Sequence, residues 1–302
     1  VASEAVSSLI KFCTVETGVK ILSSQSLRWS APNLFDDPFE LQYQSRPDTD
    51  ATSLLDALLR EALILLFGPD VPTGRHNRLV NVMARWREQE RFCDEEEAKA
   101  VLTDLLGQIA ELQEKQIEQY LLDWRKFART TRIACFSEKP GNIPSWQRYA
   151  DQHRGIALRF ECGDDTGLPK PQRVQYMTNA PVITSQQEQL DIIYGRHNAP
   201  TTAAFPEKLL SKGRHDQLEQ EWRCFSTAQQ SEIEDEHAWF DLKRFPAHEL
   251  RAVYFGIHMP EKDQAVIYKL VRANYPTAKI YQAAVQPGRY EIEFNLWSAK
   301  QR

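Results

Sequence analysis

The sequence predicts an α+β fold: a compact, mixed, mainly antiparallel sheet core with a helical insertion. Two observations carry this. Short runs rich in β-branched and aromatic residues, bounded by Gly, Pro and Asn, gather towards both ends of the chain. Between them lies a long stretch whose apolar residues recur by threes and fours, the helical period. The core is assigned to 1–49 and 130–302, and the insertion, packed on that core, to 50–129.

Leu9-Ile10-Lys11-Phe12-Cys13 suits a first strand, Val15 to Ser24 a helix, and Leu27-Arg28-Trp29-Ser30 a second strand. Ala31-Pro32-Asn33 and Asp36-Asp37-Pro38 then break the pattern, because proline removes a backbone donor and holds its predecessor extended. Helix follows from about Thr52 to Arg129. It is clearest at Ala98, Val101, Leu102, Leu105, Leu106, Ile109, Leu112, Ile117, Leu121 and Trp124, and the acids Asp94 to Glu97 suit the positive end of its dipole. Ser53 to Phe67 is apolar almost all round, which places it inside a helical group with the Leu79–Trp86 segment. Strands return at Arg132–Phe136, Gly155–Phe160, Arg173–Met177, Trp222–Ser226, Trp239–Leu242, Ala252–Gly256, Ile280–Ala283 and Tyr290–Leu296. Helices are expected between them at Gln187–Tyr194, Pro206–Ser211 and Glu261–Asn274.

Composition narrows the function. The 302 residues are 42% hydrophobic and 26% charged, as in globular proteins, and 37 Lys+Arg against 42 Asp+Glu leave a net charge of −5. No global basic field exists to hold nucleic acid or an anionic membrane. The longest apolar runs, such as Ala62–Phe67, fall far short of the roughly 20 residues that span a bilayer. No signal peptide is recognised, so a cytoplasmic location without a membrane partner is expected. Five scattered cysteines without a Cys-x-x-Cys read as buried thiols, not as a disulfide framework or zinc site.

The densest chemistry lies in Glu219-Gln220-Glu221-Trp222-Arg223. On a strand, residues two apart share a face, so both carboxylates come together while Gln220 and Trp222 turn away. Such a pair suits the stabilisation of an oxocarbenium-like centre or the binding of a divalent metal. The bland alternative has both acids exposed and balanced by Arg223, Arg214 or Lys212. Phe35-Asp36-Asp37-Pro38-Phe39-Glu40 sets three carboxylates between two rings, able to ligate Mg²⁺ or to cap a turn. Trp146, Tyr149 and Ala150 share a helical face, Tyr149 and His153 can line a cleft and stack on a base or ring, and Gly155 is placed to end the helix with a positive φ. No nucleophile elbow, Gly-rich phosphate loop or His-Glu-x-x-His motif occurs.

Five separated pieces carry a resemblance. They are Phe12 to Ser24 followed by Leu27-Arg28-Trp29-Ser30-Ala31-Pro32; the Phe35–Glu40 loop; Cys135-Phe136-Ser137-Glu138 with Trp146, Tyr149-Ala150-Asp151, His153 and Gly155; Glu219–Arg223; and Val253-Tyr254-Phe255-Gly256 with Ile280-Tyr281-Gln282-Ala283. Together they resemble the bacterial domain-of-unknown-function family numbered twenty-nine seventy-one, whose members are associated with phage defence and mobile elements. The resemblance skips the helical insertion. It departs at Asp36, where that family carries Asn, and before Glu219, where it carries Trp and this chain has His215 or Asp216.

The order of motifs also looks like the ADP-ribosyltransferase layout: a polar anchor on an early strand, a hydroxyl residue ending a middle strand, and Glu-x-Glu on a late one. That likeness implies NAD as a substrate, with Ser137 supporting the nicotinamide ribose, Glu221 as the catalytic carboxylate and Glu219 as its helper. The first-strand anchor has no clean counterpart; Lys11 is the charged residue there and Arg28 lies on the next strand. Lys11, Arg28, Tyr149 and His153 are the expected NAD-binding residues, and this leading reading needs no bound metal.

Two alternatives stand beside it. In a metal-dependent phosphodiester hydrolase or nuclease, Asp36, Asp37, Glu40, Glu219 and Glu221 would converge on Mg²⁺, with phosphate held locally by Arg129, Arg132, Arg148 or Arg154. In a non-catalytic defence sensor, the insertion would bind a partner. An unidentified protein or nucleic-acid target is expected, and the apolar faces of the insertion can support a homo-oligomer.

Overall fold

A computed structural model describes residues 6–37, 50–69, 77–179, 182–228 and 239–298. The chain divides into two units, one drawn from Val1–Leu41, Ala128–Ala180 and Leu209–Arg302, the other from Gln42–Phe127 and Pro181–Lys208. The architecture is α+β. Among the described residues no helix is long and apolar enough to cross a membrane.

The first unit holds a ten-stranded, mainly antiparallel sheet: β1 (Ser8–Cys13), β2 (Ser26–Ser30), β3 (Thr131–Ser137), β4 (Ile156–Glu161), β5 (Gln172–Arg173), β8 (Glu221–Thr227), β9 (Phe240–Arg244), β10 (Leu250–Phe255), β11 (Lys279–Val285) and β12 (Ile292–Leu296). Two further strands, β6 (Gln175–Met177) and β7 (Ser211–Gly213), pair in parallel as a separate ribbon. The path runs β12-β11-β10-β4-β1-β3-β2-β9, with β8 on the other edge of β3. Period-2 alternation divides β1 between two apolar layers. Leu9 and Cys13 join helices α1 (Val15–Ser24) and α8 (Glu261–Asn274) through Ile21, Leu22, Ile267 and Val271, whereas Ile10 and Phe12 pack against Trp146 and Ala150 at α5 (Ile143–Arg148).

The sheet splits at β3. One edge of this strand pairs along its full length with β8, from Thr131↔Thr227 to Ser137↔Glu221. On the other edge β2 meets it at Ser30↔Ile133 and β1 meets it at Ile10↔Ser137, so β1 and β2 diverge from the same strand. The Cys135 carbonyl, between the two contacts, accepts a hydrogen bond from Lys11 Nζ at 2.9 Å. An inserted ammonium thereby satisfies a backbone acceptor that the split would otherwise strand.

The second unit is helical: α2 (Ala51–Phe67), α3 (Arg78–Glu88), the part of α4 (Glu95–Thr130) up to Phe127, α6 (Gln186–Ile193) and the short α7 (Phe205–Lys208). Side-chain caps start these helices: Asp50 and Asn77 accept from the amides of Ser53 and Val80, and Asp94 from that of Glu97. The segment 181–208, which the sequence assigns to the core, belongs to this helical unit. Leu190, Ile193 and Tyr194 bury among Leu54, Leu58 and Leu102, and Tyr194 donates to the Leu58 carbonyl at 2.7 Å.

The predicted elements recur with small changes. Arg173–Met177 is two strands, and Pro206–Ser211 is a short helix running into β7. Gly155 does not adopt a positive φ; Asp151, Gln152 and His153 do, at 45°, 51° and 68°. Gly155 is required for space, because a Cβ there would collide with the Cys13 carbonyl oxygen.

Candidate functional site

The split opens a cavity of about 660 Å³, inside the 300–1,000 Å³ range of small-molecule pockets. β1 contributes Ile10, Lys11 and Phe12, β2 contributes Arg28 and Ser30, and β3 and β8 supply Ser137 and Glu221. Asp36, Asp37, Arg148, Tyr149, Lys212, His215, Asp216 and Glu219 complete much of its wall.

The two glutamates come together, though not by strand alternation. Glu219 ends a 3-10 turn (Arg214–Glu219), Gln220 follows in the left-handed conformation at φ 49°, ψ 51°, and Glu221 opens β8. The strand partner of Glu221 two residues on is Arg223, whose Nε donates to Glu221 Oε1 at 2.8 Å. What unites the acids is Lys212 on β7, whose Nζ donates to Glu219 Oε2 at 2.7 Å and to Glu221 Oε2 at 3.2 Å. Neither acid is exposed as the bland alternative supposes: Glu219 is 3% and Glu221 6% accessible.

Local structure explains the placement. The parallel pairing of β6 with β7 sets Tyr176 beside Lys212, and the Tyr176 hydroxyl accepts from the Glu221 amide at 2.8 Å. Asn142 caps α5 by accepting from the Ser145 amide, while its amide nitrogen donates to the Leu218 and Glu219 carbonyls at 2.7 and 3.0 Å. One side chain thus ties the helix to the acidic turn. From that helix end, Arg148 donates to Glu219 Oε1 and Asp216 Oδ1, and the Tyr149 hydroxyl lies 3.2 Å from both oxygens of Glu219.

The electrostatics follow from burial and pairing. Burial raises the Glu221 carboxyl above the usual carboxylate range, and Lys212 opposes the rise. Burial works against the Lys212 charge, but Glu221, Tyr149 and Glu219 outweigh it and raise the ammonium further. Desolvation lowers the Arg223 guanidinium to about 9 and raises the Tyr176 hydroxyl to about 12. Burial, reinforced by Glu221, pushes the Cys135 thiol well up, consistent with an inert thiol.

The remaining expected residues divide. Ser137 shares a hydrogen bond with Ser145 at 2.8 Å and is the register partner of Glu221. Lys11 lines the cavity, but it alternates away from Ile10 and its ammonium serves the Cys135 carbonyl. Arg28 stands on the cavity side, its guanidinium 4.4 Å from the Phe240 ring centre. His153 does not line the cavity. Its ring stacks on Trp146 at 6.1 Å, because the left-handed turn after α5 folds it back over the helix, and burial with His258 nearby lowers its pKa. Asp36 and Asp37 reach the cavity wall, while Glu40 lies outside the described residues. Arg132 is buried against Asp241 at 3.1 Å, which removes it as a phosphate ligand.

The sequence does not single out Lys212, His215 and Asp216, which line the cavity, or Ser145, which bonds to Ser137. A signal existed for three of them: six titratable residues, Lys212, Arg214, His215, Asp216, Glu219 and Glu221, occupy ten positions. Chemically, the cavity joins a buried, cation-held carboxylate to a hydroxyl row, with Arg28 and Tyr149 at its wall. Comparison with protein-family models, curated proteins and solved structures finds no match to the chain in any of the three.

Proposed function

We propose that the protein is an ADP-ribosyltransferase-like enzyme that takes NAD as a substrate in the cavity at the sheet split. The observation that carries this reading is the row Ile10–Ser137–Glu221 across three adjacent strands, which puts a hydroxyl and a buried carboxylate on one face of one cavity. It agrees with the motif order that resembles the ADP-ribosyltransferase layout.

In this reading the bond from nicotinamide nitrogen to the ribose carbon breaks, and its electron pair leaves with neutral nicotinamide. Glu221 accepts a hydrogen bond from a ribose hydroxyl and stabilises the oxocarbenium left behind. Lys212 and Arg223 hold the Glu221 carboxyl in place through ion pairs, and Lys212 opposes the rise that burial causes, so the group is positioned before reaction. Ser137 orients the same ribose. A nucleophile on the acceptor, or water, then bonds to the ribose carbon and releases its proton to solvent. Arg28, rather than Lys11, supplies the cationic anchor for the pyrophosphate, since the Lys11 ammonium is engaged with the backbone. Tyr149, 41% exposed, offers a ring face to the bound ligand.

The test is nicotinamide release from NAD, followed by mass spectrometry with water and candidate protein or nucleic-acid acceptors, for the full chain and Glu221→Gln. The variant keeps the shape and removes the charge, and should lose on the order of 10²-fold or more in rate. No release from the native chain with any acceptor, or release that Glu221→Gln leaves unchanged, would reject the reading.

A further inference from the structure

A second group of donors sits on the cavity wall. One ligand atom each from Asp37, His215 and Asp216 lies within 4.8 Å of the others, and all three residues line the cavity. Asp216 is 4% exposed, and its two oxygens are treated differently. Oδ1 accepts from Arg148 at 2.9 Å, whereas Oδ2 is buried without a hydrogen bond. Lys212 Nζ and His215 Nε2 approach Oδ2 only to 3.6 and 3.5 Å, and the ammonium spends its short contacts on Glu219 and Glu221. Held only by these longer ion-pair contacts, Oδ2 keeps a lone pair for a further ligand.

We propose that Asp37, His215 and Asp216 bind one divalent cation of the Mn²⁺ or Zn²⁺ type. Two carboxylates and an imidazole form a mixed oxygen and nitrogen set that suits these ions better than Ca²⁺, which prefers oxygen alone. Three protein ligands leave coordination positions open for water or for an anionic oxygen of a molecule in the cavity. The Lys212 and Arg148 charges beside the site weaken the hold on a bare ion. An anionic ligand oxygen completing the shell offsets that repulsion. This site shares no ligand with the Ser137–Glu221 row, although Lys212 contacts both Asp216 and Glu221 on the wall of the same cavity.

The test titrates Mn²⁺ alone into the metal-stripped full chain, following loss of the free-ion paramagnetic resonance signal, with Zn²⁺ as competitor. One saturable equivalent displaced by Zn²⁺ is expected. His215→Ala and Asp216→Asn should each weaken it at least about tenfold, whereas Glu16→Gln, at an exposed acid on α1, should bind as the native chain does. His215 is 68% exposed, so its truncation leaves the fold intact, and an unchanged melting temperature verifies this. No saturable uptake of either ion, or uptake that His215→Ala leaves unchanged, overturns the proposal. NAD is absent from the titration, so its failure is distinct from failure of the nicotinamide assay.

Discussion

The helical unit and the cavity wall are buried to the same degree by opposite chemistry. Leu54, Leu58, Met83, Leu102 and Leu106 are at most 1% exposed and belong to one apolar cluster. Around the cavity, Lys212, Asp216, Glu219, Glu221 and Arg223 are at most 7% exposed and carry charge. Apolar burial is non-directional and forgiving of shape, so volume-conserving exchanges are tolerated. A buried ion network contributes little net stability when complete and costs a great deal when one partner is removed. The helical unit is therefore built for stability, and the cavity wall for holding charges where water would otherwise disperse them.

Placing one residue type in both regions tests this contrast. Lys212→Met should give the largest effect, about 3–5 kcal/mol of destabilisation in urea unfolding, because Glu219 and Glu221 lose their shared cation. A cost below about 1 kcal/mol would show that the network is not what holds the wall.

Alkaline pH should give the next effect. The folded-state pKa of Lys212 is raised above its unfolded value of about 10.4, so its contribution is complete below that pH and is lost as pH rises through the folded pKa. Burial raises the Tyr176 hydroxyl to about 12 and acts in the same direction. Desolvation lowers the Arg223 guanidinium to about 9, which acts in the opposite direction over the same range, so the lysine is read as a difference: between pH 8 and 11 the native chain should lose more stability than Lys212→Met. Equal losses would remove Lys212 from the effect.

Leu58→Met should give the smallest effect, under about 1.5 kcal/mol in the same urea measurement. A cost matching that of Lys212→Met would erase the distinction between the regions.

The same contrast explains what sequence could reveal. Glu261–Asn274 was legible to the residue because Val266, Ile267, Leu270 and Val271 mark one face, and the strands of the core were legible from their β-branched and aromatic runs. The separation of Ser137 from Glu221 by a single strand pairing was not, since register between segments 84 positions apart leaves no local trace. Strand alternation was assumed from Glu219, but Gln220 turns left-handed without the glycine that would announce it, and the face-sharing neighbour becomes Arg223. The sequence names Lys212 as a cation able to balance the glutamates, and the ion pairs agree; that it does so buried between them depends on the β6–β7 ribbon, which leaves no local trace. Gly155 was credited with a backbone angle when its value is the absence of a side chain. The 181–208 segment was placed in the core because its own pattern does not say which unit its apolar residues join.

The split at β3 has a corollary for substitutions. The diverging walls β1 and β2 belong, with α1, to one contiguous segment, Ser8–Ser30, while Ser137 and Glu221 lie on the fully paired β3 and β8. Substitutions in that one short stretch can reshape the β1 and β2 walls of the cavity without touching the strand pairing that sets Ser137 beside Glu221.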